Sequence, residues 1–268
     1  MKRSILTWLC VPVVAIGMVA FGAVRSAHAT AELIVAELAP NVVVVDCLDQ
    51  AACDKSPAPG IVTVDGGVFG DLASSNVTGT KIAGPGFVFF DLAATWTTNA
   101  TGPSVTMIAE FSDNGFSNVG SPFSVTSTVV GNILFADVAA EQLVNNDFPN
   151  GVKFASGCGP GVQGPFSNTS FPSTGFSDTQ ATTCSGNGIN GRFALTEVAA
   201  AIISTGFITF DGSTFGPFSG LVSLDNASFL LGEPVLVPEP SLLLALGAGL
   251  GGVALWGRKR RTSGETAS

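Results

Sequence analysis

The side chains of this chain that could do acid–base chemistry are almost all carboxylates. Its single histidine, His28, lies near the N-terminus, so residues 30–236 cannot form a Ser-His-Asp or Cys-His relay or a histidine-ligated metal site. Two carboxylates can hydrolyse a glycosidic bond, and this stretch contains Glu32, Glu37, Glu110, Glu141, Glu197 and Glu233. No spacing selects a pair among them. We therefore expect no catalytic residues, and a carboxylate-based glycosidase or lyase is the least favoured hypothesis.

Three acidic turn sequences could place oxygen ligands around calcium: Asp65-Gly66-Gly67, Asp113-Asn114-Gly115 and Asp211-Gly212. Asp-Gly and Asn-Gly are mainly turn sequences, so we predict turns here and neither a metal site nor a cofactor. A G-x-G-x-x-G match at residues 159–164 lacks the strand and helix that a dinucleotide site needs. A module that binds carbohydrate or calcium remains the second hypothesis, although Trp96 is the only tryptophan of residues 30–236 and tyrosine is absent.

Four cysteines lie between residues 30 and 236: Cys47, Cys53, Cys158 and Cys184. An even number of cysteines predicts two disulfides if the chain is exported, and three pairings exist. We favour the pairing that is local in sequence, Cys47–Cys53 and Cys158–Cys184, because the cysteines of each pair surround turn-rich segments. A four-cysteine zinc site would need closely spaced C-x2-C pairs, which the chain lacks.

The N-terminal residues have the order of a secretory signal peptide. Lys2 and Arg3 form a basic start, Ser4 to Val24 carries no charge, and Ala27-His28-Ala29 matches a signal-peptidase site. We predict that residues 1–29 are removed after Ala29.

The exported body, residues 30–236, is strongly acidic. Its basic residues are Lys55, Lys81, Lys153 and Arg192, against eighteen Asp and Glu, so its net charge is −14 where the whole chain has −9. Such a surface repels phosphate backbones, and we expect no nucleic-acid partner.

The composition of the body predicts a mainly β fold. Phe is abundant, and Gly, Ser, Thr and Val alternate with turn sequences, which favours a single antiparallel β-sandwich of jelly-roll type. The elements that we predict are a hairpin from Gly86–Leu92 and Ser104–Phe111, a half-buried strand at Phe123–Val130, a short helix at Asp137–Asn145, an extended loop at Gly151–Gly191, a hairpin from Arg192–Ile203 and Gly206–Asp211, and a strand at Leu221–Leu230.

The C-terminal residues predict a membrane segment. Pro238-Glu239-Pro240 breaks the chain before Ser241–Gly257, which is seventeen residues without charge. As a helix this segment would span roughly 25 Å, slightly less than a bilayer's hydrocarbon core. Arg258, Lys259, Arg260 and Arg261 follow and are expected to stay in the cytoplasm with residues 262–268.

Residues 237–261 resemble the PEP-CTERM sorting signal, a segment also known as the ice-binding-protein C-terminal domain. The resemblance rests on Val237-Pro238-Glu239-Pro240, the apolar helix and the terminal Arg-Lys-Arg-Arg cluster. It implies export by a Gram-negative bacterium that makes exopolysaccharide, and cleavage by an exosortase-type transpeptidase near Pro238-Glu239-Pro240. It implies nothing about ice, because the body lacks a regular Thr-x-Thr ladder.

These features together predict an exported protein of the cell surface or biofilm matrix whose body is not an enzyme. Its expected partners are signal peptidase, an exosortase-type transpeptidase and, transiently, the inner membrane. Exopolysaccharide is the candidate ligand of the body.

Overall fold

Residues 31–116, 119–145, 157–185 and 193–234 are described by a computed structural model. Within these ranges the chain is mainly β-structure, which confirms the predicted fold class, and no helix occurs in them. The strands are β1 Glu32–Ala39, β2 Val43–Leu48, β3 Ile61–Gly67, β4 Leu72–Gly84, β5 Phe87–Thr98, β6 Val105–Phe116, β7 Val119–Leu134, β8 Ala136–Asn145, β9 Cys158–Asn168, β10 Thr174–Cys184, β11 Phe193–Ile203, β12 Gly206–Phe210, β13 Ser213–Phe218 and β14 Leu221–Pro234.

Twelve of these strands form two six-stranded sheets. Sheet A has the order β2-β1-β6-β11-β8-β9, and sheet B has the order β10-β7-β14-β5-β4-β3. The remaining strands, β12 and β13, form a separate two-stranded sheet. Every strand pair in the described ranges is antiparallel.

The two large sheets enclose one apolar interior. In β5 the even-numbered residues are buried and the odd-numbered ones are more exposed, because successive side chains point to opposite faces of a sheet. Phe90 of β5 stacks on Phe111 of β6 with ring centroids 4.5 Å apart, which joins sheet B to sheet A. Gly79 of β4 leaves room for this stack, since a Cβ atom at Gly79 would collide with the Phe111 ring.

The central strands of sheet A are buried on both faces. Ile108, Ala139, Val198 and Ala200 form a second apolar cluster on the face that points away from the interior. Burial on both faces accounts for the nearly continuous apolar sequences of β6 and β11, which do not show the alternation of β5.

Both predicted disulfides form, with the predicted pairing. Cys158 begins β9 at the edge of sheet A and Cys184 ends β10 at the edge of sheet B, with a Cα–Cα distance of 5.9 Å, so this bond joins the two sheets. Cys47 of β2 bonds Cys53 in the β2–β3 connection, with a Cα–Cα distance of 5.7 Å.

Two predicted elements differ in the structure. Residues 137–145, predicted as a helix, lie in strand β8 between β9 and β11; pairing on both sides supplies hydrogen bonds that outweigh a weak local preference. Residues 151–191, predicted as a loop, contain strands β9 and β10 in their described part. Both strands lie at sheet edges and are rich in Gly, Ser and Thr, so their sequences resemble those of loops.

Both predicted hairpins were wrong in their pairing. β5 belongs to sheet B and β6 to sheet A, so the chain crosses between the sheets at residues 99–104. β11 pairs with β6 and β8, whereas β12 pairs with β13. Asp113-Asn114-Gly115, predicted as a turn, lies inside β6. In each case the secondary structure and pairing depend on neighbouring strands that are distant in sequence.

We predict that Gly79→Ala lowers the free energy of unfolding by about 1–3 kcal/mol, because the added methyl group overpacks against Phe111. Urea unfolding followed by fluorescence measures this. Gly175→Ala is the matched control: a Cβ atom there has only ordinary contacts, the nearest being 3.4 Å from Asn132 Oδ1, and we expect no loss of stability. Equal midpoints for the Gly79→Ala variant and the unaltered chain would contradict the proposed packing.

Candidate functional site

The residues predicted to direct processing lie outside the described ranges. These are Ala29, Pro238, Glu239, Pro240, Arg258, Lys259, Arg260 and Arg261. Within the described ranges, no helix is long and apolar enough to cross a bilayer. The site that the structure itself presents is therefore in the body, and it consists of buried carboxylic acids.

The carboxyl of Glu37, in β1, binds the backbone of the β3–β4 turn. Its Oε2 accepts a hydrogen bond of 2.8 Å from the backbone N–H of Asp71, in the β3–β4 turn. Burial raises the pKa of this carboxyl, while the backbone hydrogen bonds oppose the shift. Gly70, with φ of 55°, lies against the same carboxyl, and a Cβ atom there would collide with it. Glu37 thus fastens sheet A to the turn at the end of sheet B.

Glu110 and Glu197 do not face one cleft. In the β6–β11 ladder Glu110 pairs with Val198 and Glu197 pairs with Phe111. Paired residues share a face and successive residues alternate, so Glu197 points into the interior with Phe111 and Glu110 points to the opposite face. The two carboxyl groups are separated by the sheet itself.

Glu110 and Glu141 share the outer face of sheet A. Val198 pairs with Glu110 on one side and with Glu141 on the other, which places the two glutamates two strand spacings apart, about 10 Å between backbones. Burial raises the pKa of Glu110 to about 8 and also raises the pKa of Glu141. Carboxylate-pair hydrolysis needs one ionised group beside one protonated group, and burial here favours the protonated form of both.

Six polar residues form an interior polar cluster between the sheets. Their side chains point inward from β7, β8, β9, β11 and β14: Ser127, Gln142, Gln163, Glu197, Asn226 and Ser228. Ser127 Oγ lies 3.2 Å from Asn226 Oδ1 and 3.3 Å from Gln163 Oε1. Gln163 Nε2 donates to the backbone oxygen of Ser127 at 3.0 Å. These contacts join sheet A to sheet B through polar groups instead of apolar ones.

Glu197 is the ionisable member of this cluster, and like Gln142 Oε1 and Ser228 Oγ its carboxyl oxygens lack hydrogen-bond partners. Its side chain is 0% exposed, and neither carboxyl oxygen has a partner with full hydrogen-bond geometry. Burial raises its pKa well above 4.5, the nearby negative charge of Asp91 raises it further, and the Ser228 hydroxyl opposes the shift. We therefore expect Glu197 to be protonated and neutral at pH 7.

A second acid pair lies on the outer face of sheet B. Asp91 of β5 and Asp225 of β14 are diagonal neighbours, offset by two residues. Asp91 pairs with Ala227, and Asp225 pairs with Ala93. Burial, followed by a hydrogen bond with Asp225 and the charge of Asp225, raises the pKa of Asp91 to about 8. A proton on Asp91 removes the repulsion between its carboxyl and that of Asp225.

The predicted calcium turns are not brought together. Asp65 lies near the end of β3, Asp113 lies inside β6, and Asp211 lies in the β12–β13 turn. Asp113 forms an ion pair with Lys81 of β4, whose Nζ also lies 5.9 Å from the ring centroid of Phe116. In the described ranges no three His, Cys, Asp or Glu residues are placed to hold one metal ion.

No protein-family model matches the chain, and no curated protein matches it significantly.

Sequence reasoning named Glu110 and Glu197 but did not identify their environment. A glutamate inside an apolar run, as in Met107-Ile108-Ala109-Glu110-Phe111, is the sequence pattern that indicates a buried acid. Such a residue is buried when its strand lies centrally in a sheet. The faces that Glu110 and Glu197 occupy depend on strand register, which the sequence does not give.

We predict that the free energy of unfolding falls as the pH rises from about 4.5 to 8, and that Glu197→Gln weakens this dependence. The unfolded chain releases the Glu197 proton near 4.5 whereas the folded chain retains it, so raising the pH favours unfolding. Removing one such proton reduces the slope by up to about 1.4 kcal/mol per pH unit. Urea denaturation at a series of pH values measures the slope.

Asp211→Asn serves as the control for this experiment. Asp211 is an exposed carboxylate with φ of 47°, a conformation that Asn tolerates. We expect this variant to retain the slope of the unaltered chain. A slope that is the same with Glu197→Gln would show that Glu197 is ionised in the folded state and would contradict the assignment.

Proposed function

We propose that this chain is an exported, non-enzymatic protein of the cell surface or extracellular matrix of a Gram-negative bacterium. The observation that carries the proposal is the pair of disulfides, Cys47–Cys53 and Cys158–Cys184, in the body. Such bonds form and persist in oxidising compartments and are rare in the cytoplasm. They support export independently of the signal-peptide pattern of residues 1–29.

The two ends of the described body favour attachment on one side. Pro234, at the end of β14, pairs with Val119, and Val119 follows the end of β6 at Phe116. Glu32, at the start of β1, pairs with Ser112 of β6. Glu32 and Pro234, the first strand residue of β1 and the last of β14, therefore lie towards the same end of the described body. This arrangement suits a body held at a membrane by either terminus and then released.

In this proposal the tail is the sorting signal. Residues 241–257 cross the inner membrane and Arg258–Arg261 stay in the cytoplasm. An exosortase-type transpeptidase then cuts near Pro238-Glu239-Pro240. Signal peptidase removes residues 1–29. The proposal has two further parts. The body is a jelly-roll sandwich, and exopolysaccharide surrounds it.

The carboxylates favour a body that is not an enzyme. Glu110 and Glu197 occupy opposite faces of sheet A, and burial raises the pKa of both. This arrangement gives the acids a role in the packing of the body and does not favour hydrolysis by a carboxylate pair.

We expect the full chain, produced in a Gram-negative host with an exosortase-type transpeptidase, to lose residues 1–29 and the residues beyond the Pro238-Glu239-Pro240 region. Intact mass spectrometry of the exported protein measures both losses. Glu239→Gln with Pro240→Ala should retain the tail, whereas Thr262→Ala, in the predicted cytoplasmic segment, should be processed normally. Exported protein that still carries Arg258–Ser268 would contradict the sorting proposal.

The disulfides should also differ in their contribution to stability. On the loop-entropy model, the sequence separation of 26 residues for Cys158–Cys184 corresponds to about 3–4 kcal/mol, and that of 6 residues for Cys47–Cys53 to about 2 kcal/mol. We predict a larger loss of stability for the Cys158→Ser/Cys184→Ser variant than for the Cys47→Ser/Cys53→Ser variant. Urea unfolding of both measures the order, and the reverse order would contradict this account.

A further inference from the structure

Two rows of inward-facing residues lie opposite each other in the interior of the body. Each row consists of ladder partners on three adjacent strands, namely Phe111, Glu197 and Gln142 on sheet A and Phe90, Ser228 and Ser127 on sheet B. The stack of Phe90 on Phe111 sets one end of each row against the other. We call these two sets of residues the facing rows.

Hydrogen bonds beyond the stack hold the same alignment of the two sheets. Asn226 Nδ2 of β14 donates to the backbone oxygen of Glu141 in β8 at 3.4 Å. Gln163 Nε2 of β9 donates to the backbone oxygen of Ser127 in β7 at 3.0 Å. These bonds place β14 against β8 and β7 against β9, and they engage both amide nitrogens.

Three polar side chains of the facing rows share one small volume between the sheets. Burial raises the pKa of Glu197, and the Ser228 hydroxyl, which lies opposite, is close enough to oppose that shift. Gln142 is the ladder partner of Glu197, and the Cβ atoms of such partners are about 4.5–5.5 Å apart. The carboxyl, the amide and the hydroxyl are therefore neighbours.

Four atoms of these side chains lack a hydrogen-bond partner within the described part of the chain: Glu197 Oε1, Glu197 Oε2, Gln142 Oε1 and Ser228 Oγ. The three residues are at most 1% exposed, so bulk water does not reach them. Buried polar atoms in folded proteins are nearly always paired with protein groups or with ordered water. These four atoms therefore point to a bound partner.

The side chains themselves supply too few donors for these atoms. A neutral Glu197 has one O–H group and Ser228 has another. Gln142 Oε1 can only accept, and the Nε2 of the same amide already donates to the Leu143 oxygen at 2.9 Å. The partner must bring hydrogen atoms of its own.

Short side chains leave room for a small partner at this point. Packed sheets lie about 10 Å apart, and the stacked rings of Phe90 and Phe111 fill that layer at one end of the rows. Ser228 and Ser127, with much shorter side chains, follow Phe90 along sheet B. A water molecule needs only roughly 10–15 Å³ of such space.

The chemistry of the site favours a neutral, polar occupant. The charges of Asp91 and Asp225 raise the pKa of Glu197, and they would also repel an anion. A cation would require an ionised Glu197, the form that burial disfavours. An apolar molecule would leave the four atoms unpaired, which costs their full desolvation. Water has both donors and acceptors at the required size.

From these observations we propose that one buried water molecule binds between Glu197, Gln142 and Ser228 and joins sheet A to sheet B. It donates one hydrogen to Gln142 Oε1 and the other to the carbonyl oxygen of Glu197, and it accepts the hydrogen of the Ser228 hydroxyl. The O–H group of Glu197 donates to Ser228 Oγ. All four atoms are then paired, and the water makes three hydrogen bonds, the usual number for a buried water.

A crystal structure of the chain exported to the periplasm of a Gram-negative host, with ordered waters visible, tests the site directly. We expect a water about 2.7–3.2 Å from Gln142 Oε1 and from one carboxyl oxygen of Glu197. A direct Gln142–Glu197 hydrogen bond with no water between the two side chains would overturn the proposal. A metal ion with contacts of about 2.3–2.6 Å would overturn it too.

Oxygen-17 relaxation dispersion, which counts long-lived waters, tests the site in solution. Glu197→Gln keeps polar atoms on a side chain of the same shape, so we expect the count of the unaltered chain. Glu197→Met has the same length without these atoms and should hold one water fewer. Asp211→Asn, at an exposed carboxylate, is the control and should change nothing. Equal counts for Glu197→Met and the unaltered chain would overturn the proposal.

A second variant and a second measurement cover a failure of Glu197→Met to fold, which circular dichroism detects. Gln142→Met removes the other acceptor and should also hold one water fewer. In the unaltered chain, the side-chain amide of Gln142 should show a water cross-peak with the sign of a long-lived contact in nuclear Overhauser spectra. The absence of this cross-peak would overturn the proposal whether or not the variants fold.

Discussion

The stacking of Phe111 on Phe90 across the interior is the contact on which the arrangement of the two sheets depends. It places β6 of sheet A over β5 of sheet B, and Gly79 of β4 is the residue that makes room for it. Since side chains alternate along a strand, a shift of one residue in β5 would replace Phe90 with Phe89 or Asp91 in the interior. The aromatic contact therefore fixes which face of sheet B is buried.

The same register also buries the carboxyl groups of two glutamates. With Phe111 facing inward, its ladder partner Glu197 must also face inward, while Glu110 must face the other side of sheet A. Desolvation disfavours the charged form of both groups, so each retains a proton to a higher pH than it does in the unfolded chain. The stability of this body is thus linked to pH by the same register that forms its core, and a lower pH would strengthen the fold.

The sequence predicted what local patterns determine. The cysteine spacing predicted the disulfide pairing, and the period-two alternation of Phe123–Val130 predicted a strand that the structure has within β7. It did not predict that Asp137–Asn145 is a strand, because the residues of β8 suit a helix until β9 and β11 pair with them. The buried acids were present as glutamates in apolar runs, but their faces follow from pairing between strands that are about 80 residues apart in sequence, such as β6 and β11. The tail lies outside the described ranges, so its assignment remains a prediction.

The outer edge of β3 differs from the free edge of β12 in the contacts that surround it. Sheets with exposed edges tend to add strands from other chains. Here bonded cysteines occur in β2, β9 and β10, and the loop that contains Cys53 covers β3 through Thr63. The connection that contains Cys53 thus also covers part of the outer edge of β3. β12 pairs with β13 alone within the described ranges, so its other edge is the one that a further strand could join through backbone hydrogen bonds.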